Sequence, residues 1–79
     1  MQIEVRLYAT LREFAPSNSQ HGVFAATLRN GATVQELLDS FGIAAKKVHM
    51  IMVNGAGVTM EETLRENDRV GLFPPVGGG

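Results

Sequence analysis

The sequence TVQELLDSFG, residues 33–42, carries the clearest helical signal in this 79-residue chain. Thr33 and Glu36 have the spacing of a capping box, in which each side chain satisfies a backbone donor of the other residue. Gly42 tolerates the positive φ at which helices commonly end. Apolar residues recur between these ends at the spacing of one helix face, namely at Val34, Leu37, Leu38 and Phe41. The pattern predicts one amphipathic helix starting at Thr33.

Strand-like segments lie on both sides of this helix. Residues 2–8 alternate apolar and polar side chains, and residues 23–28 form a less regular second strand. Thr10 is expected to cap a short helical turn at 11–14 between them. After the helix, the apolar block 48–53 has the pattern of a central strand, Asn54 and Gly55 supply a turn, and 70–73 is a last short strand.

The order strand, strand, helix, strand, strand predicts the fold class α+β, with a mixed sheet of four to five strands packed on one main helix. Residues 61–69 are mostly charged and are expected to form an irregular surface segment anchored by Leu64, with a tight turn at Asn67 and Asp68. We expect a single domain at 1–74, followed by a flexible C-terminal glycine tail at 75–79.

Composition excludes several classes of function. The formal net charge is −1 without long runs of either sign, so nucleic acid is not an expected partner. No segment resembles the roughly 20 apolar residues of a membrane span, and the first residues lack the apolar centre of a secretory signal. The lack of both predicts a cytoplasmic setting. Cysteine is absent and the two histidines are far apart, so we expect no bound metal or resident cofactor.

The side chains that enzymes commonly use are scarce. None of the three serines lies in a glycine-flanked turn, and neither His21 nor His49 has a recognisable acid or nucleophile beside it in sequence. Glu61 and Glu62 are adjacent, which is poor geometry for a shared-proton pair in an extended segment. We therefore expect the chain to catalyse nothing alone.

The unusual feature is the C-terminus, where Gly77, Gly78 and Gly79 follow the rigid pair Pro74 and Pro75. Three residues without side chains make a thin tether that can enter a narrow active site of another protein. The terminal carboxylate would need activation, most plausibly by ATP as an acyl-adenylate, before a sulfur or nitrogen nucleophile could attack it. From these residues alone, a frayed end is an equally good interpretation.

Residues 72–79, LFPPVGGG, resemble the Phe-Pro-Pro-Val-x-Gly-Gly ending of the small subunit of molybdopterin synthase, in the MoaD/ThiS family of ubiquitin-like sulfur carriers. The segments 5–13 (VRLYATLRE), 52–55 (MVNG) and 64–70 (LRENDRV) are similar to other parts of that family in the same order. The family more often has Gly-Asp where Asn67 and Asp68 stand. Of these segments, the ending is the specific one.

The resemblance implies a β-grasp fold and a mechanism. An adenylating enzyme would use ATP to activate Gly79, and a sulfur donor would convert it to a C-terminal thiocarboxylate. The tail would then enter the large subunit of molybdopterin synthase, or another acceptor enzyme, and deliver sulfur to a pterin precursor for the molybdenum cofactor. Gly79 would carry the sulfur next to Gly78, and Val76 and Gly77 would position the tail.

Such a carrier needs a surface for its partners. Alternation directs Ile51, Val53 and Leu72 toward the helix, so Met50, Met52 and Phe73 fall on the opposite, open face of the sheet. We expect these three residues to form a partner-binding patch that continues into Pro74, Pro75, Val76 and Gly77, because methionine adapts to more than one partner. The alternative is that they complete the core.

Other functions share the same tail. A carrier for thiamine or for another sulfur-containing product could end in the same glycines. A ubiquitin-like protein modifier would join Gly79 to a lysine of a target through an isopeptide bond. A simple interaction module would have an inert tail.

Overall fold

The computed structural model describes residues 1–75. This part of the chain contains five strands, one α-helix and two 3-10 helices. In chain order the elements are β1 (Gln2–Leu7), a first 3-10 helix (Ala9–Phe14), β2 (Val23–Thr27), α1 (Val34–Ser40), a second 3-10 helix (Ala45–Lys47), β3 (Met50–Val53), β4 (Ala56–Val58) and β5 (Arg69–Phe73).

The five strands form one mixed sheet in the order β2-β1-β5-β3-β4. β1 and β5 pair in parallel, and the other neighbouring strands pair antiparallel. The predicted α+β architecture, with a mixed sheet on one main helix, is confirmed, and it is the β-grasp arrangement. The centre of the sheet is β5, not the apolar block around β3, because β5 lies between β1 and β3.

The core lies between the sheet and α1. Alternate strand residues supply one side of it, and Ile51, Val53 and Leu72 are buried there as their alternation predicts. The helix supplies Val34, Leu37 and Leu38. The core residues exposed by 2% or less include Ile3, Val5, Leu7, Leu11, Leu64 and Val70.

The helix begins where its sequence predicts. The Thr33 side chain accepts a hydrogen bond from the Glu36 backbone at 3.3 Å, and the Thr33 backbone donates to the Glu36 carboxylate at 3.1 Å. Phe41 caps the end and packs edge to face on Phe24, with ring centroids 5.1 Å apart. Gly42 follows with a φ of 70°. The capping box is therefore confirmed at both hydrogen bonds.

The structure corrects some local predictions. Thr10 lies inside the first 3-10 helix and does not cap it, since that helix begins after Tyr8. The strand predicted at 48–53 starts only at Met50, because the second 3-10 helix precedes it. The turn at Asn54 and Gly55 is confirmed, but it leads into β4, a short edge strand that the sequence pattern did not predict.

The segment that leads into β5 is irregular, as predicted, and Leu64 anchors it with 2% exposure. Asp68 does more than mark a turn, because it is buried and its carboxylate accepts two hydrogen bonds. One comes from the Asn54 side-chain amide and the other from the Arg65 backbone, each at 2.8 Å. Within residues 1–75, no helix is long and apolar enough to cross a membrane.

Candidate functional site

The open face of the sheet carries an aromatic pair beside the end of β5. Tyr8, which directly follows β1, stacks on Phe73 with ring centroids 4.3 Å apart and planes 6° from parallel. Gly71 lies under both rings, because a Cβ atom placed on it would be 3.4 Å from Phe73 and 3.5 Å from Tyr8. A glycine in a strand interior commonly marks such a close approach. The stacked rings thus form an apolar platform over the central strand.

The two methionines continue this platform onto β3. Met50 pairs with Phe73 across the ladder, and Met52 pairs with Gly71. Met50 is 46% exposed, and no other large hydrophobic residue in the described part of the chain is exposed to this degree. The structure therefore places Met50, Met52 and Phe73 on the face opposite the helix, as alternation predicts. Their binding of a partner stays a prediction.

Polar groups border part of the platform. Arg6 near the end of β1, Asn54 just after β3 and Arg69 at the start of β5 line a shallow cleft with three of the platform side chains. The Arg6 guanidinium contacts the Glu4 carboxylate at 2.6 Å, and this hydrogen bond, with the charge of Glu4, raises the pKa of Arg6. An apolar centre with a charged border is the composition of many protein interfaces.

The end of β5 is held on both sides up to its last residue. The Tyr8 N–H donates to the Leu72 carbonyl at 3.2 Å, and the His49 N–H donates to the Phe73 carbonyl at 2.7 Å. Pro74 and Pro75 have no N–H donor, so the ladder stops there. The point at which the tail leaves the sheet is thereby fixed next to the aromatic platform.

The two prolines line a groove formed by both 3-10 helices. We call it the exit groove, and its walls include Leu11, Phe14, Lys46, Lys47, Pro74 and Pro75. The Lys47 ammonium lies over the Phe14 ring, 5.3 Å from its centroid. The predicted site residues Val76, Gly77, Gly78 and Gly79 lie outside the described residues.

No metal-binding cluster is found among residues 1–75. Residues 1–75 contain no group of three or more His, Cys, Asp or Glu residues placed to hold a metal ion. His21 lies in the turn before β2, and His49 lies just before β3 at the other side of the sheet; both are exposed.

Sequence reasoning missed two features of the site. Alternation along residues 2–8 puts Tyr8 on the same face as Arg6, but the predicted patch does not include it. Its stacking on Phe73 depends on the parallel pairing of β1 with β5, which is not visible in a local pattern. The lysine pair of the exit groove gave no sequence signal, because residues 46–47 and 74–75 meet only in the folded chain.

Solved structures similar to this chain cover almost all of its length. The Haloferax volcanii HVO 2177 protein is 28% identical with a TM-score of 0.77, covering 100% of this chain and 87% of that one. Small archaeal modifier protein 1 of Haloferax volcanii is 26% identical with a TM-score of 0.75, and 100% of each chain is covered. A putative molybdopterin converting factor, subunit 1, of Pyrococcus furiosus is 26% identical with a TM-score of 0.72, covering 95% of this chain and 98% of that one.

No curated protein sequence matches the chain significantly. The family comparison, by contrast, extends over nearly the whole sequence and includes the glycine ending. The model described as the ThiS family matches residues 5–79, so the chain belongs to the ThiS family.

Proposed function

We propose that this protein is a sulfur carrier whose C-terminal Gly79 is adenylated by a partner enzyme and converted to a thiocarboxylate. The sulfur then serves molybdopterin biosynthesis in the cytoplasm. Membership of the ThiS family and the similarity to a molybdopterin converting factor subunit support this proposal. The observation that carries it is the fixed exit of a Pro-Pro-Val-Gly-Gly-Gly tail beside an apolar platform.

The chemistry needs little from this chain. A carboxylate is a weak electrophile, so the partner joins it to the AMP portion of ATP, and pyrophosphate leaves. A sulfur nucleophile then attacks the Gly79 carbonyl carbon and displaces AMP. The glycines at 77–79 place no side chain against the attacking group.

The open face would dock those partners. Tyr8, Met50, Met52 and Phe73 offer aromatic and methionine side chains, which are enriched at protein interfaces. The large subunit of molybdopterin synthase and the adenylating enzyme must each bind close to the tail in order to reach Gly79. A single platform next to the tail exit serves both, since methionine side chains can adapt to different surfaces.

The intact mass of the protein tests the proposal. The chain is incubated with a candidate adenylating enzyme, ATP and a sulfur donor, beside a variant that lacks Gly79. A mass gain equal to the exchange of one oxygen for sulfur, absent from the variant, is the expected result. Transfer of that sulfur to a pterin precursor by the large subunit would identify the pathway, whereas transfer to a thiamine precursor would contradict it.

A second candidate function is protein modification. The similarity to small archaeal modifier protein 1, as close as that to the converting factor subunit, favours it. The activation step is the same, but a lysine amine of a target takes the place of sulfur. Target proteins joined to Gly79 through isopeptide bonds, with no thiocarboxylate formed, would favour this function over sulfur transfer.

A further inference from the structure

The chain has only two lysines, and both lie in the exit groove. Lys46 and Lys47 are adjacent in sequence and share this groove with Pro74 and Pro75. The topology explains the proximity. β3 runs antiparallel to β5, so the 3-10 helix before β3 lies at the end of the sheet where β5 finishes.

Both lysines are available to react. They are exposed, and neither has a carboxylate within 4.0 Å in the part of the chain that the structure describes, where the ion pairs are Arg6–Glu4 and Arg29–Glu36. The Lys47 ammonium lies over the Phe14 ring at the wall of the groove, in a cation–π contact. The other primary amine, at Met1, is partly buried, donates to the Leu28 carbonyl at 2.6 Å and precedes β1 at the opposite end of the sheet.

The tail is long enough to return to these amines. Four residues follow Pro75, and a chain of four residues spans at most about 14 Å when extended. Three of the four are glycines, which adopt positive and negative φ almost equally and so permit a reversal. Two groups joined through a short linker generally meet at an effective concentration in the millimolar range, far above that of a second copy.

We propose that Lys46 and Lys47 form an internal acyl-acceptor site for the activated Gly79. The inference rests on the proposed activation of Gly79 as an acyl-adenylate. When no sulfur donor captures that group, a lysine amine attacks the Gly79 carbonyl carbon. A C–N amide bond forms, the C–O bond to AMP breaks, AMP leaves with the electron pair, and the protons of the amine pass to solvent. The product is a closed ring that can no longer carry sulfur.

A chemically made C-terminal thioester tests this acceptor site without any adenylating enzyme. Residues 1–79 are released from an intein fusion with a small thiol, and the fate of the thioester is followed by intact mass and peptide mapping. The expected product is lighter than the free acid by one water, with Gly79 joined to Lys46 or Lys47. The variant K46R/K47R keeps both charges and should lower the ring fraction about tenfold or more, leaving hydrolysis.

A second variant tests whether ring formation depends on the position of the lysine or only on its reactivity. K46R/K47R/R65K carries its single lysine before the start of β5, at the far end of that strand from Pro74. It should hydrolyse without ring formation, and thermal unfolding should confirm that all variants are folded. Hydrolysis alone in the original chain, adducts only between copies, or a ring that survives in K46R/K47R would overturn the proposal. Failure of enzymatic thiocarboxylate formation would instead count against the sulfur carrier, since the thioester bypasses that step.

Discussion

Glu36 combines two roles at the start of α1. Its carboxylate closes the capping box with Thr33 and accepts two hydrogen bonds from Arg29, each at 2.7 Å. The hydrogen bond from Arg29 is the main cause of a lowered pKa for Glu36, and the backbone hydrogen bond from Thr33 adds to it. A partly exposed side chain thus links the loop before the helix to its first turn.

Glu36→Gln should therefore destabilise the protein in a pH-dependent way. Because the pKa of Glu36 is lower in the folded state, its ionised form stabilises folding above the ordinary value of 4.5. That contribution is lost as the pH falls through the folded-state pKa. Urea unfolding should show the original chain more stable than the variant at pH 7, with the difference shrinking toward pH 3. Glu61→Gln, at an exposed residue, is the control, and an equal difference at both pH values would contradict the prediction.

Two tight turns have the same backbone form but different surroundings. His21 with Gly22, and Asn54 with Gly55, both have positive φ at the two central residues, the type I′ geometry of hairpins. A Cβ atom on Gly22 would lie 2.4 Å from the Leu7 carbonyl oxygen, whereas one on Gly55 would meet nothing within 4 Å. Comparing an alanine substitution at these two glycines therefore separates the cost of backbone strain from the cost of a steric clash.

Gly22→Ala should cost clearly more stability than Gly55→Ala. Both variants place alanine at a positive φ, a strain of about 1 kcal/mol or more. In Gly22→Ala the clash also displaces the Leu7 backbone, whose N–H donates to the Gly22 carbonyl at 2.9 Å, and this adds about 1–2 kcal/mol. Chemical denaturation of both variants measures the difference. Equal losses of stability in the two variants would show that the Leu7 carbonyl moves away from the new methyl group without an energetic cost.

At the scale of elements, α1 could be predicted because its signals are local. Thr33, Glu36 and the apolar stripe lie within ten residues, and the structure uses each of them. β4 could not be predicted, because it has three residues, includes Gly57 and exists through its pairing with β3. The place of β5 at the centre likewise depends on pairings distant in sequence.

The candidate site, too, could be predicted only where its signals are local. Alternation within β3 and β5 was enough to put Met50, Met52 and Phe73 on the open face. The stacking of Tyr8 required the register between β1 and β5, and the lysine pair required the end of β5 to meet the second 3-10 helix. Contacts between elements distant in sequence are invisible to a periodicity argument, whatever the strength of each local signal.

Asp68 ties three elements together. Its carboxylate accepts from the Asn54 side chain and the Arg65 backbone, and the Asn54 side-chain oxygen in turn accepts from the Arg69 backbone at 2.9 Å. The turn between β3 and β4 is thereby joined to the start of β5. Asp68→Ala would leave a partly buried backbone donor and the Asn54 amide without this acceptor.

Asp68→Ala should lower the free energy of unfolding by about 1–3 kcal/mol, the usual cost of unsatisfied buried polar groups. Asp68→Asn keeps one acceptor oxygen and should lose less. Denaturant unfolding measures both losses, and hydrogen exchange at Arg65 should accelerate in the alanine variant. No loss in Asp68→Ala would mean that water replaces the carboxylate and that the turn does not depend on it.

At the scale of the whole molecule, the proposed function divides between a folded platform and a reactive end. The open face belongs to the sheet, and its residues are held by the β1, β3 and β5 ladders. The carboxyl group proposed to react belongs to Gly79, six residues beyond Phe73, the last residue of β5. Binding and chemistry can therefore be removed separately, because a change in one need not disturb the other.

Met50→Glu should weaken docking to the adenylating enzyme or the large subunit by roughly tenfold or more, because it buries a charge within the proposed interface. Its stability should change by only about 0.5 kcal/mol, since Met50 is exposed. Thr27→Glu places the same charge on the same face of the sheet, at the edge strand β2, and is the matched control.

A chain without Gly78 and Gly79 should bind nearly as well as the original yet gain no sulfur. Calorimetry measures partner binding by each variant, and intact mass measures its gain of sulfur. Normal binding by Met50→Glu would refute the platform, and sulfur gain by the shortened chain would refute Gly79 as the reacting residue.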